Sequence, residues 1–240
     1  MQAPMQAVVL AGGLATRMRP RTLTVPKAML EVAGRPFVDW QLERLAACGI
    51  HDVVFCVAFL AEQIQEHVGD GARFGVRVRY ANEGEKLLGT AGAIRAAHEE
   101  HPLAPTFLVT YGDSYLPFDY ADPLRILDAH GDCDGVMSAY KNEGAWDASN
   151  TSVSGDGTWI LRYEKGVKDP ALDHIDYGAT ALRRAVIEAL PLGVPHGLDA
   201  IQHDLAARKR LRACVARERF FEIGSPEGLA DLDSLLRSRA

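Results

Sequence analysis

Ala7-Val8-Val9-Leu10-Ala11-Gly12-Gly13-Leu14-Ala15-Thr16-Arg17 opens on an unbroken apolar run and turns on two glycines. Apolar residues without alternation fit a strand buried on both faces, the kind found in parallel sheets. The small residues that follow let backbone N–H groups come close to phosphate oxygens. The turn is not a P-loop, because G-x-x-x-x-G-K-[ST] is absent, and G-x-G-x-x-G is absent here too. Taken alone, Gly12-Gly13 describes an ordinary strand-to-helix turn with solvated arginines equally well.

Outward from this stretch, short apolar runs alternate with helical patterns. Phe37–Cys48 carries a helical stripe closed by Gly49, and Val53–Ala58 reads as a strand. Leu60–Val68 is predicted helix, Val76–Tyr80 strand, Ala91–His98 helix, and Phe107–Thr110 a strand running into Tyr111-Gly112-Asp113. Leu124–Ala129 is predicted helix and Gly135–Tyr140 strand. This β-α-β rhythm predicts an α/β fold: a three-layer, Rossmann-like, mostly parallel sheet whose ligands lie beyond the carboxyl ends of the strands. Ala11–Arg17 and Gly112-Asp113 both follow strands, so both should open onto that edge. After Tyr140 the rhythm changes. Thr151–Val153 and Thr158–Tyr163 flank Ser154-Gly155-Asp156-Gly157, a hairpin signature. His174–Leu182 and Leu211–Arg217 are predicted strands, and Leu198–Ala207 and Pro226–Leu236 helices. One domain over residues 1–240 is expected, with 1–140 mainly for a nucleotide and 141–240 mainly for a second substrate.

The chain of 240 residues is 48% hydrophobic, enough for one sizeable core. Its net charge of −6 argues against a nucleic-acid binder. A polyanionic substrate must then be met by a few placed cations. The apolar run before Gly12 is short and has no basic segment ahead of it, so neither a signal peptide nor a membrane span is expected there. The four cysteines (Cys48, Cys56, Cys133 and Cys214) show no C-x-x-C spacing, which fits core residues in a reducing cytoplasm. Asp113 stands in an apolar context, where a carboxylate is costly unless it finds a cation or donors.

Gly-Gly-x-x-Thr-Arg-x-x-Pro (residues 12–20) with Pro26-Lys27 resembles the signature of the sugar-1-phosphate nucleotidyltransferases. Leu88-Gly89-Thr90-Ala91-Gly92 resembles that family's base-binding turn, and Tyr111-Gly112-Asp113 its metal-binding strand end. Tyr163-Glu164-Lys165 resembles its sugar-phosphate motif and Glu222-Ile223-Gly224-Ser225-Pro226 its C-terminal metal motif. Five motifs in order extend the resemblance over essentially the whole chain. Tyr111–Leu116, Asp176-Tyr177-Gly178 and Phe221–Pro226 are most similar to the subgroup of D-glycero-D-manno-heptose 1-phosphate guanylyltransferases. The short uridylyltransferases of N-acetylmuramate 1-phosphate come next.

The resemblance implies transfer of a nucleoside monophosphate from a triphosphate, GTP by preference, to a sugar 1-phosphate, with Mg2+ as cofactor. Such catalysis is positioning plus electrostatic stabilisation. It implies that Arg17 holds the β- and γ-phosphates and Lys27 the α-phosphate. Leu10, Ala11, Gly12, Gly13, Glu83, Gly89 and Thr90 would bind the nucleotide. Asp113 and Glu222 would hold the metal, since Mg2+ takes one or two carboxylates plus water and phosphate oxygens. Lys165 would meet the sugar phosphate and Glu164 the sugar hydroxyls. Gly178 would let backbone approach the ring, and Asn150 closes a polar stretch, Trp146–Asn150, suited to a lid. A homodimer accords with the short members of the family. A catalytically idle relative would have lost Arg17, Lys27 or Asp113, and all three are present.

Two positions depart from the family pattern: Glu222 stands where Asp is commonest, and Ala15 where many members carry glycine. Ala15 is expected to keep a negative φ. Three further features are read as structural. Asp132-Cys133-Asp134 is turn chemistry. His98 and His101 belong to a solvated helix end. Arg208-Lys209-Arg210 with Arg212 favours a helix dipole and nothing more.

Overall fold

Gln6–Leu10 (β1) forms the axis of a nine-stranded sheet in the computed structural model, which describes residues 5–13, 15–84, 87–142 and 144–239. It lies parallel between Asp52–Val57 (β4) and Thr106–Tyr111 (β6). Arg77–Asn82 (β5) adds a parallel edge beyond β4. On the other side, His174–Arg183 (β11) runs antiparallel to β6, and Gly135–Lys141 (β8) antiparallel to β11. Leu211–Ala216 (β12) lies parallel to β8, while the hairpin of Thr151–Val153 (β9) and Ile160–Tyr163 (β10) joins the near end of β11. The sheet is thus mostly parallel, with β10 and β11 reversed. Both halves of the chain contribute strands to it.

Helices cover both faces. Phe37–Ala47 (α1), Ala61–Val68 (α2) and Asp122–Ala129 (α4) pack on one, Gly89–Glu100 (α3) and Leu198–Ala207 (α6) on the other. The alternation of strand side chains divides the core accordingly. Ala7, Val9, Val53 and Phe55 face Leu42, Leu45 and Ile64, whereas Val8, Val54 and Cys56 face Ile94, Ala97 and Leu205. Arg184–Glu188 (α5) is a short helix after β11. Pro226–Arg239 (α7) closes a third cluster of Leu232 and Leu236 with Phe37, Val32 and Met18.

Four elements escape sequence patterning because each has two residues and no period to show. Glu31–Val32 (β2) pairs with Arg35–Pro36 (β3), and Ser114–Tyr115 (β7) with Phe221–Glu222 (β13). The second pair ties the metal-motif segments together, with Ile223 N donating to Asp113 O at 3.0 Å.

The structure corrects three readings. Ala15 has φ +47, not a negative value. Its carbonyl accepts from Met18 N (3.1 Å) and from the Thr22 hydroxyl (2.8 Å), and these bonds hold the reversed backbone. The tertiary bonds outweigh a left-handed penalty of about 1–2 kcal/mol. Arg210 and Arg212 do more than end α6: they fork onto Asp134 and Asp132, respectively, so two features set aside separately are partners. His98 and His101 are half-buried and bonded, His98 accepting from Leu103 N and His101 bonding Tyr80 O.

Candidate active site

The carboxyl ends of β1 and β6 lie side by side, with Gly112 N donating to Leu10 O (2.9 Å) and Ala11 N to Cys56 O (2.8 Å). Space at this seam is tight, with a rigid neighbour at Gly112 and a movable one at Gly12. A Cβ on Gly112 would sit 2.8 Å from Ala11 Cβ, and one on Gly12 would sit 2.8 Å from Glu83 Oε1. Gly13 is exposed, with nothing within 4 Å of where its Cβ would be, so its backbone faces open space. Across from it, Gly89 starts α3 at φ +69, and its Cβ would lie 2.6 Å from His196 O. That carbonyl accepts from Ala91 N and Gly92 N, which pins the turn to the segment before α6.

These segments enclose a cavity of about 260 Å³ lined by Leu10, Ala11, Gly12, Gly13, Lys27, Glu83, Gly89, Thr90, Tyr111 and Asp113, among others. All seven residues expected to bind a nucleotide are there, with Lys27 and Asp113. The Thr90 hydroxyl accepts from Leu198 N (2.7 Å) and docks α6 on α3. Glu83 Oε2 accepts from Leu88 N (3.2 Å), and burial pushes its carboxyl above the ordinary glutamate range.

A second cavity of about 150 Å³ adjoins the first, and Tyr111 walls both. Asn150, Lys165, Gly178 and Glu222 line it, together with Asp147, Tyr163, Asp176 and Phe220. The Asn150 side chain accepts from Asp176 N (2.9 Å). Gly178, at φ +100, sits where the register of β11 against β8 shifts between Asp176 and Thr180. Glu164 is the exception. Its carboxylate accepts from Arg162 at 2.9 and 3.2 Å and does not line the cavity.

Charge concentrates at the junction. Lys27 Nζ lies 2.8 Å from Asp113 Oδ2, with the two side chains only 18% and 24% exposed. Burial raises the Glu222 carboxyl, and the negative charge of Asp113 raises it further, while Arg17 and Lys27 oppose both. A carboxylate whose charging the neighbouring Asp113 opposes presents, with it, a natural cation position. Among the described residues no group of three or more His, Cys, Asp or Glu side chains could hold a metal ion. Arg17 is exposed and lines neither cavity; a Cβ on Gly224 would lie 3.1 Å from Arg17 Nη2 and 3.4 Å from Glu222 Oε2. Sequence reasoning passed over Tyr111, Asp147 and Asp176 as site residues. The signal for Asp176 was a carboxylate inside an apolar strand.

The family model for nucleotidyl transferases matches residues 6–146, which carry the glycine turn, Lys27, the Gly89 turn and Asp113. The chain belongs to the nucleotidyl transferase family. It is 42% identical over 166 residues to an N-acetylmuramate alpha-1-phosphate uridylyltransferase of Neisseria meningitidis, covering 68% of each protein. It is 33% identical over 189 residues to a mannose-1-phosphate guanylyltransferase of Mycobacterium tuberculosis, covering 78% of this chain and 51% of that one. A UTP–glucose-1-phosphate uridylyltransferase of Synechocystis is 29% identical over 205 residues, covering 81% of this chain. The chain spans about half the length of these last two relatives, 53% for the Synechocystis enzyme. Among solved structures, HddC from Yersinia pseudotuberculosis complexed with GMP-PN aligns at a TM-score of 0.76 and 25% identity, covering 97% of this chain and 99% of HddC. A Bacillus anthracis structure, a putative glucose-1-phosphate thymidylyltransferase, aligns at a TM-score of 0.84 and 19% identity, a likeness of fold. Among the described residues no helix is long and apolar enough to cross a membrane.

Proposed function

We propose that this nucleotidyl transferase joins a nucleoside monophosphate from a triphosphate to a sugar 1-phosphate and releases pyrophosphate. The observation that carries this reading is the Lys27–Asp113 pair in the first cavity, two residues along the chain from Tyr111, which walls both cavities. One cavity has a glycine turn and the N-terminus of α3, suited to a nucleotide. The other has Lys165 and polar side chains, suited to a phosphorylated sugar. The junction is where the α-phosphate and the attacking sugar phosphate meet. Lys27 stands beside the α-phosphate, and the backbone of Gly12 and Gly13 donates to the triphosphate. Arg17, exposed beside Gly224 and Glu222, stabilises the departing pyrophosphate.

Asp113 and Glu222 fit a magnesium ion, because both are carboxylates whose charges oppose each other across the junction. Magnesium completes its shell with phosphate oxygens and water. Held by these two carboxylates, the ion would supply charge neutralisation at the phosphates. The proposed substrates are GTP and D-glycero-D-manno-heptose 1-phosphate, and the proposed compartment is the cytoplasm. Near-complete alignment with a structure complexed with GMP-PN supports the guanine nucleotide. A second reading, UTP with N-acetylmuramate 1-phosphate, is favoured by the 42% identity to the Neisseria enzyme.

Thermal melts with magnesium and each of five triphosphates, GTP, UTP, CTP, dTTP and ATP, test the reading. A ligand at a hundred times its Kd adds about 2.7 kcal/mol, or roughly 5–10 °C for a domain of this size. All five should shift the melt through the shared triphosphate, and GTP most. A larger shift with UTP would replace the guanine reading by the second one. No shift with any triphosphate would remove the transferase reading.

A further inference from the structure

The buried stripe of α1 runs through Phe37, Val38, Gln41, Leu42 and Leu45, and one member of it is an amide. Gln41 is 1% exposed, one turn from Phe37 and one turn from Leu45, where the helical period calls for an apolar side chain. Its Nε2 donates to Tyr111 O at 2.7 Å and to Ser114 O at 3.3 Å. Both partners are carbonyls, so only the nitrogen can bond them and the amide has one orientation. Its Oε1 is buried and has no hydrogen-bond partner among the described residues.

A buried acceptor left unpaired is costly, and a methionine of similar length would avoid that cost. The two donated bonds are what glutamine supplies in exchange, and they bracket Gly112 and Asp113. Tyr111–Ser114 is the turn from β6 into β7, and one side chain is clipped to the carbonyls at both of its ends. The middle of the turn is tied as well: Gly112 N donates to Leu10 O (2.9 Å), and Ile223 N, next to Glu222, donates to Asp113 O (3.0 Å). Asp113 is a short side chain with few rotamers, so its carboxylate oxygens follow its backbone closely. Magnesium demands near-ideal octahedral geometry, so a shift of this backbone reaches the ion directly. Gln41 lines neither cavity.

We infer that Gln41 is a positioning residue, which sets Asp113 for a divalent cation by clipping both ends of the Tyr111–Ser114 turn. The inference rests on the metal-dependent function proposed above. It assigns the setting of the metal carboxylate to a core position of α1, one that touches neither substrate nor ion.

Gln41→Met keeps the length of the side chain and donates nothing. It is compared with the wild type well below both melting temperatures. Without metal, amide exchange at Gly112 and Ile223 should quicken roughly 10- to 100-fold, as for two lost buried hydrogen bonds, while the amides of Val53, Val54 and Phe55 keep their rates within about twofold. The Mn2+ complex of GTP or UTP, whichever shifts the wild-type melt more, is then titrated calorimetrically into each protein. The variant should bind it roughly tenfold or more weakly, the loss usual when a group that orients a metal ligand is removed. Unchanged exchange at Gly112 and Ile223 would overturn the inference, because the bonds would not hold the turn. Quickened exchange with unchanged affinity for the Mn2+ complex would overturn it too, since Gln41 would then serve the fold alone. Should Gln41→Met fail to fold, Gln41→Asn, whose amide is too short to span both carbonyls, is measured and judged in the same way. A wild type that binds neither Mn2+ complex would refute the proposed function, and the inference would fall with it; a wild type that binds beside an unaltered variant would refute the inference alone.

Discussion

Lys27 and Asp113, assigned to opposite tasks, hold each other at 2.8 Å, and this makes Asp113→Asn a two-sided perturbation. At 2.8 Å and an effective dielectric near 20, the gross attraction is about 6 kcal/mol. Desolvation cancels most of it, because both side chains are more than three-quarters covered. A net of about 1–2 kcal/mol remains, above that of an exposed pair. A triphosphate arriving without metal must break this pair before Lys27 can serve it, and it must also approach the Asp113 charge. Removing that charge lifts both obstacles. Titration calorimetry in EDTA should therefore find GTP bound roughly 5- to 30-fold more tightly by Asp113→Asn than by the wild type, from the same 1–2 kcal/mol. With magnesium present the order should reverse in turnover, by ~10²–10³-fold, because a group that stabilises charge at the junction is lost. The double variant Lys27→Met/Asp113→Asn should lose most of the metal-free gain. Equal metal-free affinities in wild type and Asp113→Asn, or an undiminished gain in the double variant, would refute the proposed resting lock.

Two further outcomes are expected. Lys165→Ala should raise the KM for the sugar 1-phosphate about tenfold or more while leaving the KM for the triphosphate within about twofold; the opposite selectivity in steady-state assays would mean that the two cavities are exchanged. Gly89→Ala places a Cβ 2.6 Å from His196 O at φ +69 and should destabilise by about 2–4 kcal/mol, so that Tm falls by roughly 5–15 °C; an unchanged melt would show that the turn is not pinned as described.

The strands that position the site were readable because each is buried on both faces. Val8 and Val9 are both fully covered, on opposite sides of the sheet, and that yields an apolar run with no alternation to confuse it. The small-residue positions were readable for a related reason: at Gly112 the Ala11 Cβ and backbone leave no space for a Cβ. What escaped was everything that depends on a distant partner. Two-residue strands have no period, so the pairing of Ser114 with Glu222, which brings the two proposed metal carboxylates to one junction, left no local trace. The backbone sign at Ala15 is set by Met18 and Thr22, not by alanine's own preference. Asp176 read as part of a glycine motif, because nothing in His174–Gly178 shows that Gln202 reaches it from α6. The division has one physical origin. Residue type dictates which groups can meet a substrate, whereas the resting state depends on which of those groups meet one another. Lys27 and Asp113 illustrate it, since each was identified by its proposed ligand and neither by the other, and it is their 2.8 Å contact that leads us to expect weaker nucleotide binding without metal.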